Sequence, residues 1–174
     1  MYIIKLKKKL FLIFKKQFFI LKKIKMEKNE LEILTSKETR VKVSSNIKGS
    51  TEYKKENMFD ENPQTSWYSD QGKFQYIFIF FNEKVQINQI EITFDGGFSP
   101  KEIEVGISEN DEFNNKKPQL EKIKNFNIED SNKCQILKFD NEIKNVMSIR
   151  LLMKKFNDLY GRVIVYELKI LGKK

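Results

Sequence analysis

Histidine is absent from the 174 residues, and there is one cysteine, Cys134. Without imidazole there is no Ser/His or Cys/His catalytic pair, no histidine general base and no zinc site built on histidine. A lone cysteine forms no internal disulfide, so nothing requires an oxidising compartment, and the default is a reducing interior, cytosol or nucleus. Cys134 opens the apolar-rich run 134–139 and is expected to be a small buried hydrophobe. Seven glycines and three prolines leave no glycine-rich loop to cradle a phosphate. Long apolar runs are missing as well: the charge-free stretches of the first 25 residues, 10–14 and 17–21, are five residues each. A membrane-spanning helix needs about 20.

What is present begins with charge. The chain carries +9 overall, but residues 1–25 hold nine of its 33 basic residues and no acid, leaving 24 of each sign for the rest. Binding to a phosphate backbone requires a basic footprint, so the folded part is not expected to bind nucleic acid. Residues 1–25 consist almost wholly of Lys, Phe, Ile and Leu. On a helical wheel Lys5, Lys8, Lys9, Lys16 and Lys23 lie largely opposite Leu6, Leu10, Ile13, Phe14, Leu21 and Ile24. One reading is therefore a weak membrane-surface contact. The other is that translation starts at Met26 or that the segment is structureless, because these residues are what A- and T-rich codons spell.

Residues 26–40 form a linker in this reading, and 41–172 a single domain of ordinary size. From residue 41 onward the pattern is β. Candidate strands are 41–44, 74–81, 85–87, 90–94, 103–107, 126–128, 135–139, 148–153 and 163–171. Ile90, Ile92 and Phe94 alternate with Glu91 and Thr93, and the same period recurs at Ile103, Val105, Ile107 and at Ile149, Leu151, Met153. Such strands bury one face. The run 76–81, "YIFIFF", is apolar on both sides and suits an inner strand. About eight short strands between turns predict an all-β antiparallel sandwich, a jelly roll. The polar stretch 110–125 is expected to be a mobile surface excursion.

The order of several stretches carries a resemblance. "VKVSSNIKGS" at 41–50, "NMFDENPQTSWYSDQG" at 57–72, "VQINQIEITFDGGFSPKEIEV" at 85–105 and "YGRVIVYELKILG" at 160–172 resemble a discoidin-like domain, also called coagulation factor type C or galactose-binding-like. Asn57, Asp60, Asn62, Thr65 and Trp67 match that family's N-x-x-D-G-x-x-x-T-x-W signature, with Glu61 where glycine is usual. The resemblance implies a jelly-roll binding module without catalytic activity. It also implies a structural Ca²⁺, held by side-chain oxygen of Asp60, Thr65 and Glu167 and by main-chain carbonyls of Asn57 and Asn62. A local alternative is that Asp60 and Thr65 bond this turn's own amides. Trp67 is expected to fill the core, covered by Met58 and Phe59, with its N–H on a backbone partner.

Function then falls to the loops 67–73, 96–100 and 154–162, where Tyr68, Phe98, Phe156, Tyr160 and Arg162 are candidate anchors for another protein. The opposing reading for each is packing beneath its own loop, with Arg162 held by Asp158. As a class, the chain is expected to be a protein-interaction module: a transcriptional co-regulator or a subunit of an intracellular assembly, such as a ciliary-transport complex. The alternative is a lectin-like domain for carbohydrate or lipid head groups.

Overall fold

The computed structural model describes residues 31–174, and the readings made for residues 1–25 lie outside them. Eight antiparallel strands are present among the described residues: β1 (Glu32–Ile33), β2 (Arg40–Val43), β3 (Trp67–Tyr68), β4 (Gln75–Phe94), β5 (Pro100–Ser108), β6 (Glu121–Asn127), β7 (Gln135–Phe156) and β8 (Ile164–Lys173). A 3-10 turn, Lys55–Phe59, precedes β3. Within the expected linker, β1 pairs with the end of β8, and the Thr35 hydroxyl accepts from the Ile170 amide at 3.2 Å.

β4 and β7, of 20 and 22 residues, span both layers. The first half of β4 pairs β2 on one side and residues 148–153 of β7 on the other, and that part of β7 also carries β5, which carries β6. The second half of β4 pairs β8 and residues 135–146 of β7, and β8 carries β1 and β3. Separate strands were expected along each of these two long ones, 74–81, 85–87 and 90–94 for β4 and 135–139 and 148–153 for β7. The polar residues Asn82–Lys84 read as a turn, but they are an exposed corner with shifted register, Asn145 taking φ 60° opposite it. Strands that change layer do so at such bends.

The alternation holds. Ile90, Ile92, Phe94, Ile103, Val105, Ile149, Leu151 and Met153 are fully buried in one continuous core, together with Trp67 and Met58. Phe78 and Phe80 face the other way from Ile77 and Ile79 yet are buried too. Phe78 packs on Phe80, and the cover of Phe80 comes from the stretch expected to be a mobile excursion. Phe113 stacks edge-on to Phe80 at 5.0 Å, Lys42 lies 4.2 Å from the Phe113 ring, and buried Glu112 accepts from Ser108 and Asn115. The last five residues of that stretch open β6. Cys134, by contrast, is exposed. Inward Leu137 sets the two-residue parity of this strand, which leaves positions 134, 136 and 138 facing solvent.

Candidate functional site

Two ends of the domain hold the candidate residues. The first is the loop 57–67. The Trp67 ring is fully buried, and its indole N–H donates to the Ser45 carbonyl at 3.1 Å and to Asn46 Oδ1 at 3.2 Å. Removing such a ring from a packed core costs about 3–5 kcal/mol. Around it, Asn57 Nδ2 donates to the carbonyls of Glu52 and Ser66, and the Asn62 amide donates to Asp60 Oδ1. Glu61 takes φ 59°, the left-handed conformation that glycine adopts without strain, which accounts for the signature's usual residue there.

The test for a cation rests on oxygen crowding. The single Thr65 hydroxyl lies 2.9 and 2.8 Å from the two Asp60 carboxylate oxygens and 3.0 Å from the Asn62 carbonyl. The Asn62 amide also serves Asp60 Oδ1 and the Thr65 amide the Asn62 carbonyl, so the hydroxyl proton is left for Oδ2, and the oxygens gathered here are of the hard kind that Ca²⁺ takes. Glu167 faces an adjoining cavity with Glu61 and Asn62, and its carboxylate is held by Lys169 at 2.7 Å. That hydrogen bond raises the Lys169 pKa. The oxygens around Asp60 are chemically suited to a hard cation, whereas Glu167 would have to give up Lys169 to join them. Among the described residues no cluster of three or more His, Cys, Asp or Glu is grouped for a metal.

The second end is a rim of three loops stitched together. Ser69 and Val163 exchange two hydrogen bonds, from the Ser69 amide to the Val163 carbonyl at 2.9 Å and from the Val163 amide to Ser69 Oγ at 2.8 Å. The Gly72 amide donates to the Tyr160 carbonyl, and the Asn157 amide to the Ser99 carbonyl. Beneath them buried Gln75 donates to the carbonyls of Asp70 at 2.7 Å and Gly161 at 2.9 Å, and accepts from the Ser44 and Ser45 hydroxyls. Asp130 Oδ1 accepts from the Gly97 amide and the Ser99 hydroxyl, and these bonds hold its pKa below the usual carboxylate value.

The turn 156–162 is fixed by one carboxylate. Arg162 Nε and Nη2 donate to Asp158 at 3.1 and 2.8 Å, and the amides of Tyr160 and Arg162 donate to the same group. Arg162 thus holds its own loop. Its guanidinium also lies 5.2 Å from the Phe98 ring and 5.3 Å from that of Tyr160. Phe156 packs against the edge of the core, and Tyr68 stacks on Tyr53 at 3.9 Å. Tyr160, a candidate anchor whose opposing reading was packing beneath its own loop, is 63% exposed.

Sequence reasoning overlooked Leu159 and Phe74. Leu159 is 96% exposed at the tip of the turn and Phe74 is 57% exposed. The one signal was the sequence "DLYG" itself, a turn with an apolar residue at its apex. Gln71, Lys73, Lys101, Lys155 and Asn157 line an open depression of 790 Å³ beside Leu159 and Tyr160.

A two-layer β-sandwich with a stitched, apolar-tipped rim defines the class: a binding module. A family model, the F5/8 type C domain, matches residues 40–168, and the chain belongs to that family. Among curated relatives it is 34% identical to the nuclear receptor 2C2-associated protein of Danio rerio, over 82% of this chain and 97% of the relative. It is 32% identical to the Homo sapiens protein of the same name, over 81% and 96%. Similar solved folds include a family 32 carbohydrate-binding module of Clostridium perfringens NanJ in complex with galactose, TM-score 0.66 and 15% identity, covering 81% of this chain and 98% of that one. Another is a chitosan-binding module from a Paenibacillus chitosanase/glucanase, TM-score 0.67 and 13% identity, over 81% and 99%.

Proposed function

We propose that this protein is a non-catalytic interaction module that docks another protein on the rim formed by residues 71–74 and 156–162, as a transcriptional co-regulator or a subunit of an intracellular assembly. The observation that carries the reading is Leu159. An apolar side chain 96% exposed on a turn fixed by four hydrogen bonds to one carboxylate gains nothing in the free protein. It is pre-organised, so little ordering cost remains when a partner covers it. The names of the relatives, nuclear receptor 2C2-associated protein, support association with another protein, and a location in the nucleus or cytoplasm goes with that reading.

The test is affinity purification from native extract with wild type and Leu159→Ser side by side. A partner recovered stoichiometrically with wild type and lost with Leu159→Ser is the expected result; an unchanged partner set defeats the reading. A carbohydrate-binding reading has one feature in its favour, the cavity where Tyr166 meets Glu61, Asn62, Thr93, Asn132 and Glu167. Glycan-array binding that survives Leu159→Ser and fails with Tyr166→Ala would favour it.

We also propose one structural Ca²⁺ at Asp60, Thr65 and the Asn62 carbonyl, with Asn57 and Glu167 as further oxygen sources. Ca²⁺ in hundredfold excess over its Kd raises stability by about 2.7 kcal/mol. Calorimetric titration of the metal-stripped chain checks this: heat and a raised melting temperature are expected with wild type, and neither with Asp60→Asn. Absence of both with wild type removes the site.

A further inference from the structure

The charge at the rim narrows the partner. Three cations line the depression, Lys73, Lys101 and Lys155, and Arg162 closes the turn that forms one of its walls. Arg162 is taken by Asp158 at 2.8 Å, and Lys155, in the left-handed conformation at φ 54°, by Glu102 at 3.0 Å. Lys73 and Lys101 are exposed and have no carboxylate within ion-pair distance among the described residues, although Lys101 lies near enough to Asp130 to help lower that pKa. The rim is thus cationic on a chain whose residues 26–174 balance, 24 charges of each sign. Two ammonium groups outside any ion pair flank an apolar tip on the wall of the depression.

Resting on the docking reading above, we propose that the partner's contact is an acidic segment, with Asp or Glu side chains on both sides of one apolar residue. The apolar residue covers Leu159 and Tyr160, and the carboxylates reach Lys73 and Lys101. Such charges set orientation and the rate of encounter, while the apolar anchor supplies most of the affinity. Exposed ion pairs of this kind weaken as salt rises.

Three synthetic 12-residue peptides test this with the full chain: one with a central Leu between Glu and Asp residues, its Gln/Asn isostere, and the same peptide with the Leu replaced by Ser. Binding is read by fluorescence anisotropy and by amide shifts in a two-dimensional nitrogen–proton spectrum. The acidic Leu peptide is expected to bind and to shift residues 72–74 and 155–161. The other two peptides, Leu159→Ser and the Lys73→Glu/Lys101→Glu double variant should each weaken binding about tenfold or more. Raising salt from 50 to 200 mM should weaken it as well. Equal binding of the Gln/Asn isostere, shifts elsewhere on the domain, or binding only to phosphatidylserine vesicles overturns the proposal. If extract partners still depend on Leu159 while the isostere binds equally, only the charge assignment falls. If they do not depend on Leu159, the docking reading falls with it.

Discussion

The Asp158 carboxylate accepts from a guanidinium and from two backbone amides while 8% of its side-chain surface stays exposed. The Arg162 hydrogen bond is the main reason that its pKa lies below the ordinary aspartate value, and the amides of Arg162 and Tyr160 add to it. A carboxylate depressed in the folded state contributes stability that is present above its unfolded pKa, about 3.9, and is lost as pH falls through the folded value. Asp158→Asn is expected to cost about 2 kcal/mol at pH 7, because hydrogen bonds to a charged acceptor are exchanged for neutral ones. The gap between variant and wild type should then narrow as pH drops below about 4. Urea denaturation at pH 7 and pH 3 measures both, and a gap of constant size would show that Asp158 holds the turn without its charge. At this scale the sequence was partly legible. Trp67 announced its burial by its size and its neighbours Met58 and Phe59, and Arg162 by Asp158 four residues earlier. Leu159 gave only a local signal, its place in the turn sequence "DLYG", because a single apolar residue in a polar turn has no period to break. Cys134 misled because an apolar-rich run does not say which of its alternate residues face inward until one of them, Leu137, is anchored in a core.

Among the elements, the rim turn depends on a close approach between two backbones. Gly161 takes φ 70°, and a Cβ there would lie 2.0 Å from the Gly72 carbonyl oxygen. Gly97, in the neighbouring loop, takes φ 86°, and a Cβ there would meet nothing within 4 Å. At both positions a non-glycine residue suffers left-handed strain of roughly 1 kcal/mol, but only Gly161 adds a clash with main chain that cannot rotate away. Gly161→Ala should therefore cost about 2 kcal/mol or more, and Gly97→Ala about 1 kcal/mol. Urea midpoints of the two variants check the order, and equal losses would mean that the two loops part easily. The strands that alternate were legible from their period, and so was the buried run 76–81. The corners were not, because Asn82–Lys84 has the composition of a turn, and only long-range pairing to β7 shows that the ladder resumes beyond it. β1 and β3, two residues each, are too short for any period. The Lys55–Phe59 turn is fixed by the burial of Met58 and Phe59 and has no helical stripe of its own.

For the molecule as a whole, the consequence of β4 and β7 is that neither layer is complete by itself. The β2, β5 and β6 side takes its inner strands from the first half of β4 and the second half of β7, while the β1, β3 and β8 side uses the remaining halves. The core between them is one cluster, running from Val41 to Ile170. Melting one layer would strip the other of cross-strand bonds and expose residues such as Ile77, Ile90 and Ile149 at once, so partly unfolded states lie high in free energy. A single transition is expected. Trp67, the chain's one tryptophan, reports on the β3–β8 side, and exchange of the β5 and β6 amides reports on the other. In urea at equilibrium the fluorescence change should share one midpoint with the loss of amide protection. A β5–β6 midpoint well below that of Trp67 would mean that this edge detaches as a unit, and the rim, whose loops 96–100 and 154–162 border β5 and β7, could then not be rigid enough to present Leu159 as a fixed anchor.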